Sequence, residues 1–411
     1  MSESGHRDPV VVTGAGVTAP GGLTPEELWA ALCAGRSIAE RFEDDRLPDD
    51  VEVLVARVQG LDVGAYLPPV QRRRFDRCHH LAVAAAQQAM DGVRGELPPP
   101  DRCAVVCGVG LGANAFYELQ HEQLLSDGLH ALNPLTIPVV MPSSTAAVLS
   151  LRFSLRGPVH TVSAACASGA NAIGEGVELL RRDAADLVLA GGVDALLTYG
   201  VVCSFLRLDA MTRNADPQLA SRPFDVDRDG FLLAEGAGFV VLQRLSDVPD
   251  DAGVLGTVAG YGSCADAHHL VAPQPDGDGA LRSMRLALAD AGLGPADIGH
   301  VNAHGTSTQA GDLAEAVALS RLFPTGAPPV TAVKGTTGHM IGGSGAVEAV
   351  MTLQSIRAQK VPPVAGTHRI DPEIALDVVV GHPRAVGAGY ALSTSFGFGG
   401  VDACLVLGPP P

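Results

Sequence analysis

A chain of 411 residues, 46% hydrophobic and with 49 glycines, can bury a large core as one big domain or two tightly packed halves. Aromatics supply only 4%, so Ala, Val and Leu must build most of that core. A formal charge of −17 argues against nucleic acid or anionic membrane as the main partner, and no apolar run reaches the roughly 18–20 residues of a membrane span.

The opening Met-Ser-Glu-Ser-Gly-His-Arg-Asp lacks a signal-peptide pattern, so a cytoplasmic protein is expected. Pro-Val-Val-Val-Thr-Gly (9–14) reads as a buried strand. Thr24 then opens a helix that runs to Gly35, with Glu27 completing a capping box. Residues 103–108 form a second strand and 167–182 a helix. A strand over 186–190 ends at Gly191-Gly192, and another covers 239–243. Ser-Asp-Val-Pro-Asp-Asp-Ala-Gly (246–253) is the best joint. Beyond it the alternation restarts: strand 254–262, helix 278–291, strand 299–303, helix 311–322, strand 330–333, helix 343–358. The pattern predicts an α/β protein with a mainly parallel, layered sheet in two halves, 1–250 and 251–411, without a short internal repeat.

Three patterns invite a binding reading and are set aside. Gly14-Ala-Gly16 follows a strand, but Pro20-Gly21-Gly22 separates it from the next helix, so no phosphate would meet a helix N-terminus. Asp225-Val-Asp227-Arg-Asp229-Gly230 starts like a calcium loop, yet Glu235 falls one place early; a turn tied by carboxylate–backbone hydrogen bonds explains it better. Cys103 and Cys107, with His79 and His80 upstream, share one face of a strand and read as buried small hydrophobes rather than metal ligands. The eight cysteines of this chain are expected to be reduced thiols.

The chemistry concentrates elsewhere. Cys166 sits in Val-Ser-Ala-Ala-Cys-Ala-Ser-Gly, where a strand pattern turns at once into a helix pattern; the positive end of the helix dipole there favours thiolate. His304 stands in Asn-Ala-His-Gly-Thr-Ser-Thr just past a strand end, where α/β sheets expose functional loops, although a histidine bonded within a turn would look the same. Lys334 and His339 are five apart in Lys-Gly-Thr-Thr-Gly-His, and the chain has only one other lysine, Lys360. Ser-Thr-Ser-Phe396-Gly-Phe398-Gly-Gly is either an aromatic-armed flexible loop or a packing hairpin.

Taken in this order, from Val-Val-Thr-Gly-Ala-Gly-Val through Arg222-Pro-Phe-Asp-Val-Asp-Arg-Asp-Gly-Phe and Glu235-Gly-Ala-Gly to Phe-Gly-Phe-Gly-Gly, these segments resemble the condensing enzymes of the thiolase fold. The likeness is to β-ketoacyl-acyl carrier protein synthase II and its type II polyketide relatives. It implies a five-layered αβαβα architecture of two related halves, and a homodimer or a heterodimer with a similar chain-length subunit. It further implies that Cys166 takes an acyl group from a carrier-protein thioester, with the backbone N–H groups of Cys166 and Phe396 as oxyanion hole. His304 and His339 would assist loss of CO2 from malonyl carrier protein. Lys334 would pair with Glu348, Thr306 and Thr308 would hold the phosphopantetheine arm, and Phe396 would act as a gate. The thiol fits the task because it is both a soft nucleophile and a tolerable leaving group; paired imidazole N–H groups suit a developing enolate. No metal, nicotinamide or flavin is expected.

Two departures stand out: Val271 where a pantetheine-binding Thr is common, and Gly-Gly-Val401-Asp402 in place of Gly-Gly-Thr-Asn. Leu111 matches the floor of the acyl pocket. Because carrier proteins are acidic, docking would need a local basic patch; Arg72, Arg73, Arg74 and Arg77 are the densest cluster, joined by Arg207 and Arg213, unless they form a solvated helix face. A thiolase should carry a second catalytic Cys in a C-terminal Gly-rich loop, whereas Cys404 lies in a strand pattern; a non-catalytic partner subunit would lack the nucleophile.

Overall fold

The computed structural model describes residues 8–250 and 252–411, so the reading of a missing leader lies outside the described residues. Apolar runs rich in Val, Leu and Ala form the strands of one ten-stranded sheet. These are β1 (Val10–Thr18), β2 (Cys103–Gly108), β3 (Val159–Val162), β4 (Leu187–Asp194) and β5 (Gly236–Arg244). The second half adds β6 (Gly256–Ala265), β7 (Ile298–Asn302), β8 (Val330–Thr331), β9 (Tyr390–Gly397) and β10 (Val401–Gly408).

Their order is β8-β7-β9-β10-β6-β1-β5-β4-β2-β3. Counted within its own half, each set of five therefore runs third, second, fourth, fifth, first from outer edge to centre. The pairing sense repeats as well: the outer two pairs are parallel and the inner two antiparallel in both halves. The halves meet through β1 and β6, joined at only Val11–Thr257 and Val12–Gly256.

The sheet is thus mixed, not mainly parallel: among the described residues four neighbouring pairs are parallel and five antiparallel. Strand–helix alternation reveals parallel crossovers, but it does not register strands that return antiparallel, as β10 does through a tight hairpin. The strand expected to stop at Gly191-Gly192 continues as β4 to Asp194, because those glycines let other backbones approach closely.

Five layers follow from which faces are apolar. Helix Arg77–Asp91 covers the outside of the first half-sheet, packing on Cys103, Val105, Cys107 and Phe239. Helices Asp278–Ala291 and Gln309–Leu322 cover the outside of the second. Between the half-sheets lie helices Ser168–Arg181 and Ser344–Ala358, rich in small residues and buried on nearly every face. A side chain at Gly169 would stand 2.8 Å from Ala346 N, and one at Gly345 2.9 Å from Ala170 N, so both helices open on glycine to come this close.

That contact exposes a repeat of only three residues, too short to stand out in the sequence. Ser168-Gly169-Ala170 and Ser344-Gly345-Ala346 begin the two central helices. Each Ser Oγ accepts the N–H four residues back, from Ala164 and from Met340, both at 2.9 Å. Each turn also contains a non-glycine residue with left-handed backbone, Ala165 at φ 46° and Ile341 at φ 47°. Such a residue costs roughly 1–2 kcal/mol, which the buried packing around it must offset.

The discarded motifs have structural explanations. Side chains at Gly14 and Gly16 would collide with the Ala89 and Ala85 carbonyl oxygens, so these glycines seat the helix Arg77–Asp91. Asp225 accepts backbone N–H groups from Asp227, His368 and Arg369, forming the tied turn expected of that stretch. Thr24 accepts the Glu27 N–H, while Glu27 reaches back to Leu23 N rather than Thr24 N. No helix among the described residues is long and apolar enough to cross a membrane. All eight cysteines are free thiols.

Candidate active site

Loops after equivalent strands meet at the centre. Cys166 follows β3, the third strand of the first half, on the short turn Ala165–Ala167 that runs into helix Ser168–Arg181. Lys334 and His339 follow β8, the third strand of the second half, and His304 follows β7. A cavity of about 480 Å³ brings Cys166, His304 and His339 together with Thr306, Thr308, Glu315, Phe396 and Phe398.

Cys166 Sγ lies 3.0 Å from His339 Nε2, and the His304 and His339 rings meet edge to face at 5.5 Å. All three side chains are buried. Burial pushes the Cys166 thiol up to about 11, against the opposing charge of Lys334. Burial thus opposes the thiolate expected from the helix end at this turn. Two backbone N–H groups directed at the sulfur, those of Phe398 and Cys166 itself, also favour the charged form.

The amide that faces the sulfur is thus that of Phe398, two residues beyond the Phe396 expected from the sequence. Phe396 is still inside the β9–β10 ladder, opposite Asp402, and its ring packs on His304 at 5.7 Å. The chain must first turn over at 398–400 before an amide faces the sulfur, and that amide is Phe398's.

The ring protons follow from donor and acceptor inventories. Lys334, 1% exposed, donates to the His304 carbonyl oxygen at 2.6 Å and reaches His304 Nδ1 at 3.2 Å; its third proton goes to Glu348 in a short ion pair. An ammonium accepts nothing, so His304 Nδ1 is the acceptor and Nε2 carries the proton. Ser344 Oγ accepts Met340 N–H, and its own proton reaches His339 Nδ1 at 3.0 Å. Both neutral rings then present Nε2–H to the cavity. Burial first, and the Lys334 charge second, hold both imidazoles well below their usual pKa.

One sulfur and one ring nitrogen from each histidine lie within 4.8 Å, a donor set of zinc type. A ligating imidazole normally gives its outer N–H to an acceptor, but His304 Nδ1 faces the donor Lys334. These residues do not fit a metal centre.

Two carboxylates that sequence reasoning missed hold the loops. Asp194, at the end of β4, accepts four backbone N–H groups: Gly110 at 2.7 Å, Gly342 at 2.8 Å, Gly112 at 3.0 Å and Leu111 at 3.2 Å. Burial lifts its pKa to about 6, so it is ionised at neutral pH, as four donors require. Glu315 accepts His304 N, Gly305 N and the Thr394 hydroxyl. Neither sits in a motif; an acid closing an otherwise apolar strand, as Asp194 does, is the only cue.

The remaining expectations divide. The Thr306 and Thr308 hydroxyls pair at 3.0 Å inside the cavity, with Thr308 also capping helix Gln309–Leu322. Val271 lines the same cavity. Leu111 does not: it is 52% exposed and lines a second cavity of about 550 Å³ that shares Leu208 as a wall with the first. Arg72, Arg73 and Arg74 are exposed on the helix Pro69–Arg74, and Arg207 is exposed beside Leu208. Arg77 leaves the basic patch, because its guanidinium forks onto buried Glu235 and the Val58 carbonyl. Arg213 pairs with Asp209.

Comparison with known proteins follows this geometry. The family model of the beta-ketoacyl synthase N-terminal domain matches residues 7–248, and that of the C-terminal domain residues 255–368. The chain is 38% identical over 405 residues to the 3-oxoacyl-[acyl-carrier-protein] synthase 2 of Synechocystis sp., covering 97% of each. It is 34% identical over 404 residues to the Staphylococcus aureus protein of the same name, again covering 97% of each. A beta-ketoacyl synthase from Burkholderia phymatum superposes with a TM-score of 0.91 at 32% identity, covering 98% of this chain and 100% of that one. The ishigamide ketosynthase/chain length factor superposes at 0.90 and 32%, with the same coverage.

Proposed function

The chain belongs to the β-ketoacyl synthase family, and from that membership we propose the role of each residue in its central cavity. The activity is that of a 3-oxoacyl-[acyl carrier protein] synthase, an acyltransferase of fatty acid or type II polyketide biosynthesis. Cys166 is the nucleophile. It attacks an acyl thioester on the carrier's phosphopantetheine, the acyl group moves to Sγ, and the thiol proton leaves with the pantetheine sulfur. Malonyl carrier protein then enters, its carboxylate departs as CO2, and the electron pair left behind forms an enolate.

His304 and His339 are the donors for that enolate oxygen, each through the Nε2–H that Lys334 and Ser344 leave in place. The enolate carbon attacks the acyl-Cys166 carbonyl. The oxyanion sits between the Cys166 and Phe398 amides, worth on the order of 3 kcal/mol per donor. Collapse expels the Cys166 thiolate, which regains a proton from solvent, and releases a 3-oxoacyl thioester two carbons longer. Thr306 and Thr308 hold the pantetheine arm, and no resident cofactor takes part. The observation that carries the reading is the 3.0 Å approach of Cys166 Sγ to His339 Nε2, with His304 against the same ring.

The carrier protein docks against Arg72, Arg73, Arg74 and Arg207. A second ketosynthase-fold chain covers the edge strand β3, where Val159 is 40% exposed, and the helix Ser144–Phe153 packed beside it, where Leu151 is 80% exposed. Eight free thiols suit a cytoplasmic protein.

Intact-mass spectrometry tests the assignment. An acyl carrier protein thioester should add one acyl group to the wild-type chain and none to Cys166→Ala. Undiminished acylation of the variant refutes it.

A further inference from the structure

Asp402, one residue into β10, is 5% exposed and lines the reactive cavity. Among the described residues nothing donates a hydrogen bond to its carboxyl group. Its surroundings do not favour a charge. Asp266, on the segment after β6, faces it: a side chain at Gly279 would stand 2.3 Å from Asp402 Oδ2 and 2.5 Å from Asp266 Cβ. Glu315 faces it from helix Gln309–Leu322, and the thiol of Cys264 from its register partner on β6. The one cation facing it among the described residues, Arg282 on helix Asp278–Ala291, is engaged by Asp278 and the Ala265 carbonyl. Both oxygens of Asp266 accept backbone N–H groups, from His268 and Gln274, so the carboxylate form satisfies that residue. The proton of the pair belongs on Asp402.

Asp266 also holds the hairpin. Its N–H donates to the Gly400 carbonyl at 2.8 Å, and Gly399 N–H donates to the Leu270 carbonyl at 2.8 Å on the same segment. The segment 266–270 is therefore the clasp of the turn 398–400, which aims the Phe398 amide at Cys166 Sγ. A negative charge on Asp402 would push against the clasp from beneath.

We propose that Asp402 is a positioning residue, a neutral carboxylic acid under the 398–400 hairpin whose ionisation loosens the clasp and withdraws the Phe398 amide from the thioester site. Burial, with Asp266 second, raises the Asp402 pKa to about 7, which puts the change within the working range of pH. The catalytic consequence rests on the condensing role given above, but the loosening does not.

Hydrogen exchange of the peptide spanning 397–402, corrected for the intrinsic pH dependence, reads the clasp directly. Wild-type protection should fall at least about threefold between about pH 6 and pH 8.5, and Asp402→Asn should hold it constant. Asp266→Asn, which removes the like charge from the other side, should flatten the wild-type fall too and serves if the first variant does not fold. Condensation rates, each normalised to the enzyme's own value near pH 6, should follow the same pattern. Protection falling equally in wild type and both variants, or not falling in any, overturns the proposal. If no protein condenses at any pH, the reaction assignment fails while exchange still decides this inference.

Discussion

Lys334 Nζ stands 3.2 Å from His304 Nδ1 and 2.6 Å from the same residue's carbonyl oxygen, so one side chain fixes both the ring's proton and the backbone that carries it. The third proton goes to Glu348, which is fully buried. The buried ion pair and the imidazole orientation are thus one arrangement.

Lys334→Met should separate the two roles. It strands Glu348 as an uncompensated buried charge, at a cost of about 3–5 kcal/mol in urea unfolding. Adding Glu348→Gln should recover most of that stability. The rate should not recover, remaining on the order of 10²-fold down, because nothing then holds His304 Nδ1 as acceptor. A double variant that condenses near the wild-type rate would show that the tautomer is set by something else.

The thiol pushed up to about 11 predicts how Cys166 meets an alkylating agent. The folded protein keeps the proton on sulfur at neutral pH, so the thiolate fraction grows about tenfold per pH unit below that value. Iodoacetamide labelling, followed by intact mass, should therefore climb steadily from about pH 7 to about pH 10. A plateau beginning near neutrality would mean that the helix end and the two amides stabilise the anion more than burial opposes it.

Asp194→Asn keeps the shape of the side chain but offers one acceptor oxygen and two donors to four backbone N–H groups. The cost should be about 2–4 kcal/mol in denaturant unfolding. Because Gly342 belongs to the turn after His339, kcat should fall while the variant remains folded at room temperature. Unchanged stability would mean that water replaces the carboxylate at no cost.

Leu208 is a wall of both the 480 Å³ and the 550 Å³ cavities. Leu208→Ala should join them and raise kcat/KM for long acyl primers relative to short ones. Measured over a primer series, an unaltered length profile would show that the acyl chain does not pass that wall.

Sequence patterning reported some of this and was blind to the rest for identifiable reasons. The strand 103–108 and the helix 278–291 match the folded elements end to end, because abrupt changes between apolar and polar runs mark them. The Gly-rich settings of Cys166, His304 and His339 marked them as a set, and the resemblance carried by the order of those segments implied that they meet. Phe396 and Phe398 could not be told apart, because Phe-Gly-Phe reads the same from either side and only the hairpin decides which amide faces the sulfur. Arg77 looked like one of a basic cluster; its partner Glu235 is more than 150 residues away. The antiparallel strands were invisible because periodicity reports the face a residue occupies, not the direction in which the neighbouring strand runs.

The doubled strand order bears on how such chemistry is possible at all. In the two Ser-Gly-Ala turns, Ala165 corresponds to Ile341, so the position of the thiol is held by Gly342 in the other half, and that of His339 by Ser163. Two separate copies of one half-length chain, placed across a dyad, would have to carry the same residue at both positions. They would supply each reactive group twice, two thiols together with two imidazoles, never a single one of each. Covalent fusion of the halves removes that restriction, and reactive asymmetry at the dyad becomes attainable within a single polypeptide.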